Sequence, residues 1–252
     1  MAALAVIPAR LGSTRLPGKV LADVGGRPLV QWVHERACRA ARIARVVIAT
    51  DADEVEAACR GFGAEVFRSA TPHACGTDRV AEVARALGVP DDGLVINLQA
   101  DEPTLDPALL DALVAVLATA PLASPMTPLR RVADFLDPSV VKVVCDARGD
   151  ALYFSRAPIP WPRDAALDPA GPWPAGLVAW KHVGVYGYRG DALQRWAAAP
   201  RHPLEITESL EQLRALACGD PLRMLPWGVD SLGVDTAEDL ARLRRLAGDK
   251  TR

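Results

Sequence analysis

Cysteine is scarce and unpaired in this sequence. The five present, Cys38, Cys59, Cys75, Cys145 and Cys218, are scattered and odd in number, with no C-x-x-C among them. That excludes a disulfide framework and fits reduced, mostly packed thiols in a cytoplasmic protein. Net charge is also small, at −2 over 252 residues. A general binder of nucleic acid or of a membrane surface would be more basic, so any anion site must be local. No apolar run approaches the roughly 20 residues needed to cross a bilayer. The apolar segment Ala2 to Pro8 lacks a basic flank before it and is read as no signal peptide. Internal repeats and low-complexity tracts are absent.

Several familiar site motifs are missing too. Gly12 and Gly18 are separated by five residues, one too many for a P-loop, and Val20 stands where that loop needs a hydroxyl. No G-x-G-x-x-G follows the first apolar segment, and no G-x-S-x-G occurs anywhere. His34, His73, His182 and His202 have no metal-ligand spacing.

What is present is a globular composition, 50% hydrophobic and 24% charged, in a chain long enough to bury a substantial core. Short apolar runs alternate with helical periodicities through the first half. LAVIP up to Pro8, VVIAT (46–50) and LVINLQ (94–99) read as buried strands, and Glu65 to Phe67 as a short one. Helices are predicted from Pro28, with Val30, Val33, Ala37 and Ala41 on one face, and over 52–62, 77–87 and 105–119. This order implies an α/β layer with a mostly parallel sheet flanked by helices. In the second half VVKVVCD, ALYFS and HVGVYGYR read as strands without helices between them, interrupted by a Pro- and Trp-rich excursion. Helices return over 204–218 and 236–246. The pattern predicts a single domain over 1–252, with roughly 130–200 as a β-rich lid or dimerisation arm.

Polar residues gather at the strand ends. Arg10, Arg15 and Lys19 sit with Gly12, Ser13 and Gly18 on a loop after the first strand. Glycines let backbone N–H groups approach an anion, arginines grip phosphate oxygens as forks, and a lysine adds a point charge. The loop is either a phosphate cradle or a solvated surface loop. Asp51, Asp101 and Asp235 could meet at one rim of the sheet, or each could serve only as a helix cap; Thr236 to Asp239 has the form of a capping box. In LEITESLEQLRALAC, Ile206, Leu210, Leu213 and Ala217 form an apolar stripe, which leaves Glu208, Glu211 and Gln212 facing solvent by default. Tyr186, four residues after His182, shares its strand face and reads equally as a structural pair or a ligand pair.

Taken together, these segments are identified as those of the 3-deoxy-manno-octulosonate (Kdo) cytidylyltransferase family. IPARLGSTRLPGK resembles the family's nucleotide loop, CGTDR its SGT-E/D-R, NLQADEP its N-x-Q-G-D-E-P, and ALYFSRAPIPW its Y-F-S-R-x-x-I-P-W; HVGVYGYR, PLEITESLEQLRAL and GVDT follow in order. The resemblance implies a nucleotide-diphospho-sugar transferase-like α/β fold, a homodimer, and CTP and Kdo as substrates, giving CMP-Kdo and diphosphate with Mg2+ for lipopolysaccharide synthesis. It implies Arg10, Ser13, Arg15 and Lys19 at the triphosphate, and Ala9, Gly76, Thr77 and Gln99 near the nucleotide. Asp101 and Asp235 are implied as the metal carboxylates, and Arg156, His182, Tyr186, Glu211 and Gln212 as lining a sugar-acid pocket. Ala100 and Cys75 depart from the family's Gly and Ser, and DSLGVDT alters the approach to Asp235. A related acid sugar as substrate, a glycosyltransferase, and a nucleotide sensor without turnover are the competing readings.

Overall fold

The computed structural model describes residues 2–12, 16–70, 73, 75–229 and 231–249. In chain order the first half contains β1 (Ala3–Pro8), β2 (Asp23–Val24), β3 (Arg27–Pro28), α1 (Leu29–Ala37), β4 (Ile43–Thr50), α2 (Asp53–Gly61), β5 (Glu65–Arg68), α3 (Gly76–Ala86), β6 (Leu94–Asn97) and α4 (Pro107–Val116). The second half contains β7 (Leu122–Pro128), α5 (Val132–Leu136), β8 (Lys142–Cys145), β9 (Ala151–Ser155), β10 (Trp180–His182), β11 (Tyr186–Arg189), α6 (Gly190–Ala198), α7 (Pro203–Glu208), α8 (Gln212–Ala217), β12 (Leu222–Pro226) and α9 (Ala237–Asp249).

One sheet runs β5-β4-β1-β6-β11-β7-β10-β8-β9, with β12 on the other edge of β7. The β5-β4-β1-β6 part is parallel. Its central strand β1 is apolar at every position because both faces are covered. Ala3, Ala5 and Ile7 pack with Val30 and Val33 of α1, Val55 of α2 and Leu110 of α4. Leu4 and Val6 pack on the opposite side with Val80 and Val83 of α3 and Trp196 of α6. The predicted face of α1 is realised at Val30, Val33 and Ala37, but the helix ends there and Ala41 is exposed.

The strand expected over HVGVYGYR is split. β10 and β11 lie one after the other along the same edge of β7, antiparallel to it, with residues 183–185 interrupting the pairing. On its far edge β11 pairs with β6, whereas β10 pairs with β8. The sheet therefore forks at this interruption, and strict alternation does not relate His182 to Tyr186; the fork nevertheless brings their rings to 5.3 Å.

The helix expected over 204–218 is also two helices. Ser209 separates α7 from α8 in the left-handed region, at φ +52°. Ile206 and Ala217 are exposed, so the buried stripe shrinks to Leu210 and Leu213. Left-handed backbone strains a residue with a Cβ. Ser209→Gly should be neutral or stabilise slightly, whereas Ser209→Val should cost about 1–2 kcal/mol in a denaturant melt. A Val variant as stable as the parent would remove the claim of strain.

Candidate active site

The cationic loop leads from β1 to the turn Lys19–Leu21. Gly18, at φ +67°, makes the left-handed bend that starts this turn. Lys19 is buried, and its Nζ donates to Asp101 Oδ2 at 2.6 Å and Asp235 Oδ1 at 3.0 Å. Burial pulls the ammonium pKa down, but the two carboxylates outweigh it and the net direction is up. Lys19 is a cation at neutral pH.

Asp101 lies just beyond β6, on a turn closed by Glu102 N–H to Gln99 O. Asp235 reaches it from far along the chain because the segment before α9 docks on that turn. Val234 N–H donates to Asp101 O at 2.9 Å, and Leu232 N–H to Thr104 Oγ1 at 2.7 Å. The capping box of α9 is formed as expected: Asp239 Oδ2 accepts from Thr236 N–H, and Thr236 Oγ1 accepts from Asp239 N–H. Ala100 adds its methyl group to the main apolar cluster. Asp51 does not share in the Lys19 cluster; its carboxylate takes the guanidinium of Arg79, on α3, at 2.5 Å. Arg10 is exposed just past β1, and Ala9 is buried with its N–H on Ala49 O. Ser13 and Arg15 lie outside the described residues.

Asp235 and Gln99 also line a cavity of about 870 Å³ whose wall includes His182, Tyr186, Glu211 and Gln212. Gln212 is buried, not solvent-facing. Its Oε1 accepts from Tyr186 O–H at 3.1 Å, and its Nε2 stands 3.5 Å from His182 Nδ1. Burial pushes the Tyr186 phenol well up, so it stays a donor. Glu211 accepts from Thr77 Oγ1 at 2.8 Å, which joins the sugar-side wall to the first turn of α3. Gly76 begins that turn behind Cys75, whose thiol burial pushes up to about 12.

Arg156 is not among the residues lining this cavity. Its guanidinium donates to three main-chain carbonyls, Glu208 O, Ser209 O and Pro138 O. Glu208 accepts from Ser155 Oγ and Arg156 N–H rather than facing solvent. Together they hold the break between α7 and α8, which sets the direction of Glu211 and Gln212. The buried Lys142 adds to this clamp by donating to Arg156 O at 2.6 Å. Sequence reasoning missed Arg130, Arg131 and Lys181 on the cavity wall. The Arg-Arg pair was the available signal, but it looks like any solvated charge.

A mixed sheet whose β5-β4-β1-β6 part is parallel, bearing a cationic turn and two convergent acids at the carboxyl edge of that part, is the frame of a nucleotidyltransferase. The chain is similar to CMP:2-keto-3-deoxy-manno-octonic acid synthetase solved in complex with CTP, at 40% identity and a TM-score of 0.88, covering 99% of this chain and 100% of that one. Two relatives named 3-deoxy-manno-octulosonate cytidylyltransferase are similar along nearly their whole length. That of Syntrophotalea carbinolica is 49% identical over 96% of this chain and 97% of its own; that of Geobacter sulfurreducens is 46% identical over 95% and 96%. Residues 4–222 match the cytidylyltransferase family model, and the chain belongs to that family.

Proposed function

We infer that the protein transfers the cytidylyl group of CTP to Kdo, forming CMP-Kdo and diphosphate. The observation that supports this most is the continuity of the two halves of the site. Asp235 belongs both to the Lys19–Asp101 cluster and to the cavity lined by His182, Tyr186 and Gln212. A triphosphate placed at the cluster would therefore lie beside an acceptor held in the cavity.

The two carboxylates suit Mg2+. They are hard oxygen donors converging on one positive charge, with 29% and 47% of their side chains exposed and so open to substrate oxygens. Mg2+ is commonly held by one or two carboxylates plus substrate phosphates. When bound there, it would neutralise phosphate charge and favour ionisation of the attacking hydroxyl.

The reaction is an in-line attack by the anomeric hydroxyl of the sugar acid on the α-phosphorus. Both substrates are anions, so the first task of the chain is to overcome their repulsion. Lys19 and Arg10 supply positive charge where negative charge grows on the departing diphosphate, and Arg15 follows in the same segment of sequence. The wall carrying His182, Tyr186 and Gln212 orients the sugar, so catalysis is positioning and electrostatics without a covalent enzyme intermediate. We further propose a cytoplasmic homodimer serving lipopolysaccharide synthesis. Trp161 and Val178 are 60% and 66% exposed and offer apolar contact, whereas Trp173 turns inward onto Phe135 and Trp180 packs against the second core cluster.

Incubating the protein with Mg2+, CTP and Kdo should release diphosphate, and omission of the sugar should abolish the release. Faster release with N-acetylneuraminate or 8-amino-Kdo would move the specificity to another acid sugar. CTP binding without release from any arm would favour a sensor.

A further inference from the structure

Ser124, in the middle of β7, is completely buried at the fork of the sheet. Its Oγ is 2.8 Å from Val185 O and 3.2 Å from Val183 O, the carbonyls that bracket the interruption between β10 and β11. It is also 2.8 Å from His182 Nε2. A hydroxyl has a single hydrogen. Carbonyls can only accept, so that hydrogen goes to them, and Oγ has only a lone pair to offer the imidazole. Nε2 must then carry the proton, which leaves Nδ1 with a lone pair. The neighbouring contact agrees: Gln212 Nε2 donates toward Nδ1, and Gln212 Oε1 accepts from Tyr186. Donors run in one direction from Tyr186 through Gln212 and His182 to Ser124 and the main chain. The Gln212–His182 contact, at 3.5 Å, is long enough for Nδ1 to take a better donor.

We infer that Ser124 is a positioning residue that locks His182 as the neutral Nε2–H tautomer, so that Nδ1 accepts from a hydroxyl of the sugar acid rather than pairing with its carboxylate. This rests on the reading of the cavity as the sugar-acid site. Burial first, and Lys181 second, push the His182 pKa down to about 3, in keeping with a neutral ring. A lone pair facing a carboxylate would repel it. The substrate's negative charge has cations elsewhere on the same wall, Arg130, Arg131 and Lys181.

Two-bond 1H–15N spectra of histidine-labelled protein test this directly. The parent protein should show His182 protonated on Nε2 alone, and saturation with Kdo should perturb Nδ1 without protonating it. Ser124→Ala should lose the single tautomer and raise the KM for Kdo about tenfold, the scale of one lost hydrogen bond, leaving the KM for CTP and kcat nearly unchanged. Ser124→Thr, which keeps the hydroxyl, should retain the tautomer. A parent spectrum with the proton on Nδ1, an imidazolium formed on adding Kdo, or a rise in KM shared equally by CTP would each overturn the inference. The parent spectrum needs neither a folded variant nor turnover. Absence of diphosphate release would count against the proposed reaction and leave the tautomer to be judged separately.

Discussion

An Asp101→Asn protein should turn over CTP and Kdo at least about 100-fold more slowly than the parent chain, the scale of losing a central electrostatic group. Asparagine matches aspartate in size and can still accept from Lys19, so the turn after β6 should persist. What disappears is a full negative charge from a cluster in which one ammonium serves two carboxylates, at 2.6 and 3.0 Å. In the substituted protein Lys19 should stay closer to Asp235, and the cluster should attract a divalent cation more weakly. Two readouts separate this from misfolding. Thermal stability should change little, because the Asp101 side chain is 29% exposed and its pairing is partly screened by solvent. The Mg2+ concentration giving half-maximal rate should rise. Parent-like turnover in a folded Asp101→Asn protein would remove the metal-holding role from this residue.

The parallel part of the fold was legible because β1, β6 and the second half of β4 are buried on both faces and each helix carries one apolar face. Runs such as LVINLQ and the spacing of Val30, Val33 and Ala37 leave few alternatives. β7 was not legible. LASPMTP contains Pro125 and Pro128, residues that argue against a central strand. Yet β7 is the strand on which β10, β11 and β12 all pair. Pro125 is tolerated because it stands at the interruption between the β10 and β11 pairings, where no ladder donor is required of it, and its carbonyl still accepts from Val183 N–H at 3.0 Å. The break at Ser209 was hidden for a different reason. No glycine or proline marks it, and its cause is tertiary: Arg156 and Ser155 take up Glu208, its carbonyl and its carboxylate.

The same division runs through the site. Asp101, Asp235 and Lys19 were suggested by their places at strand ends, and the structure brings all three together. The reading in which Asp51 joins them fails because Arg79, one turn into α3, lies close enough to take its charge. Arg156 shows the limit of motif reasoning. Its place in the segment ALYFSRAPIPW is plain in the sequence, but that its guanidinium is occupied by main-chain carbonyls depends on where α7 ends. Those carbonyls, Glu208 O and Ser209 O among them, stand at the break that leads into Glu211 and Gln212.

The largest loss of stability is expected at the base of that wall. Arg214, on α8, and Glu205, on α7, are 3% and 2% exposed and form a two-pronged pair, with Nε–Oε2 at 2.8 Å and a terminal nitrogen to Oε1 at 2.6 Å. Glu205→Ala would leave a buried guanidinium whose nearest remaining acid is Asp78, at 3.5 Å. Breaking one side of such a pair costs about 3–5 kcal/mol, whereas removing both sides in favour of apolar groups is far less harmful. Glu205→Ala/Arg214→Met should therefore recover much of the loss, which a double-mutant cycle in denaturant would measure as strong non-additivity. The pair also has a pH signature. Burial alone would raise the Glu205 pKa, but the hydrogen bonds and charge of Arg214 outweigh it and the net direction is down. Its stabilisation is thus complete above the ordinary glutamate pKa of about 4.3 and fades as pH falls below that, through the lowered native value. Glu205→Gln should flatten this acid limb of the stability curve. Equal losses from the single and double substitutions, or an acid limb unchanged in the Gln variant, would show that the pair does not hold α7 and α8 together.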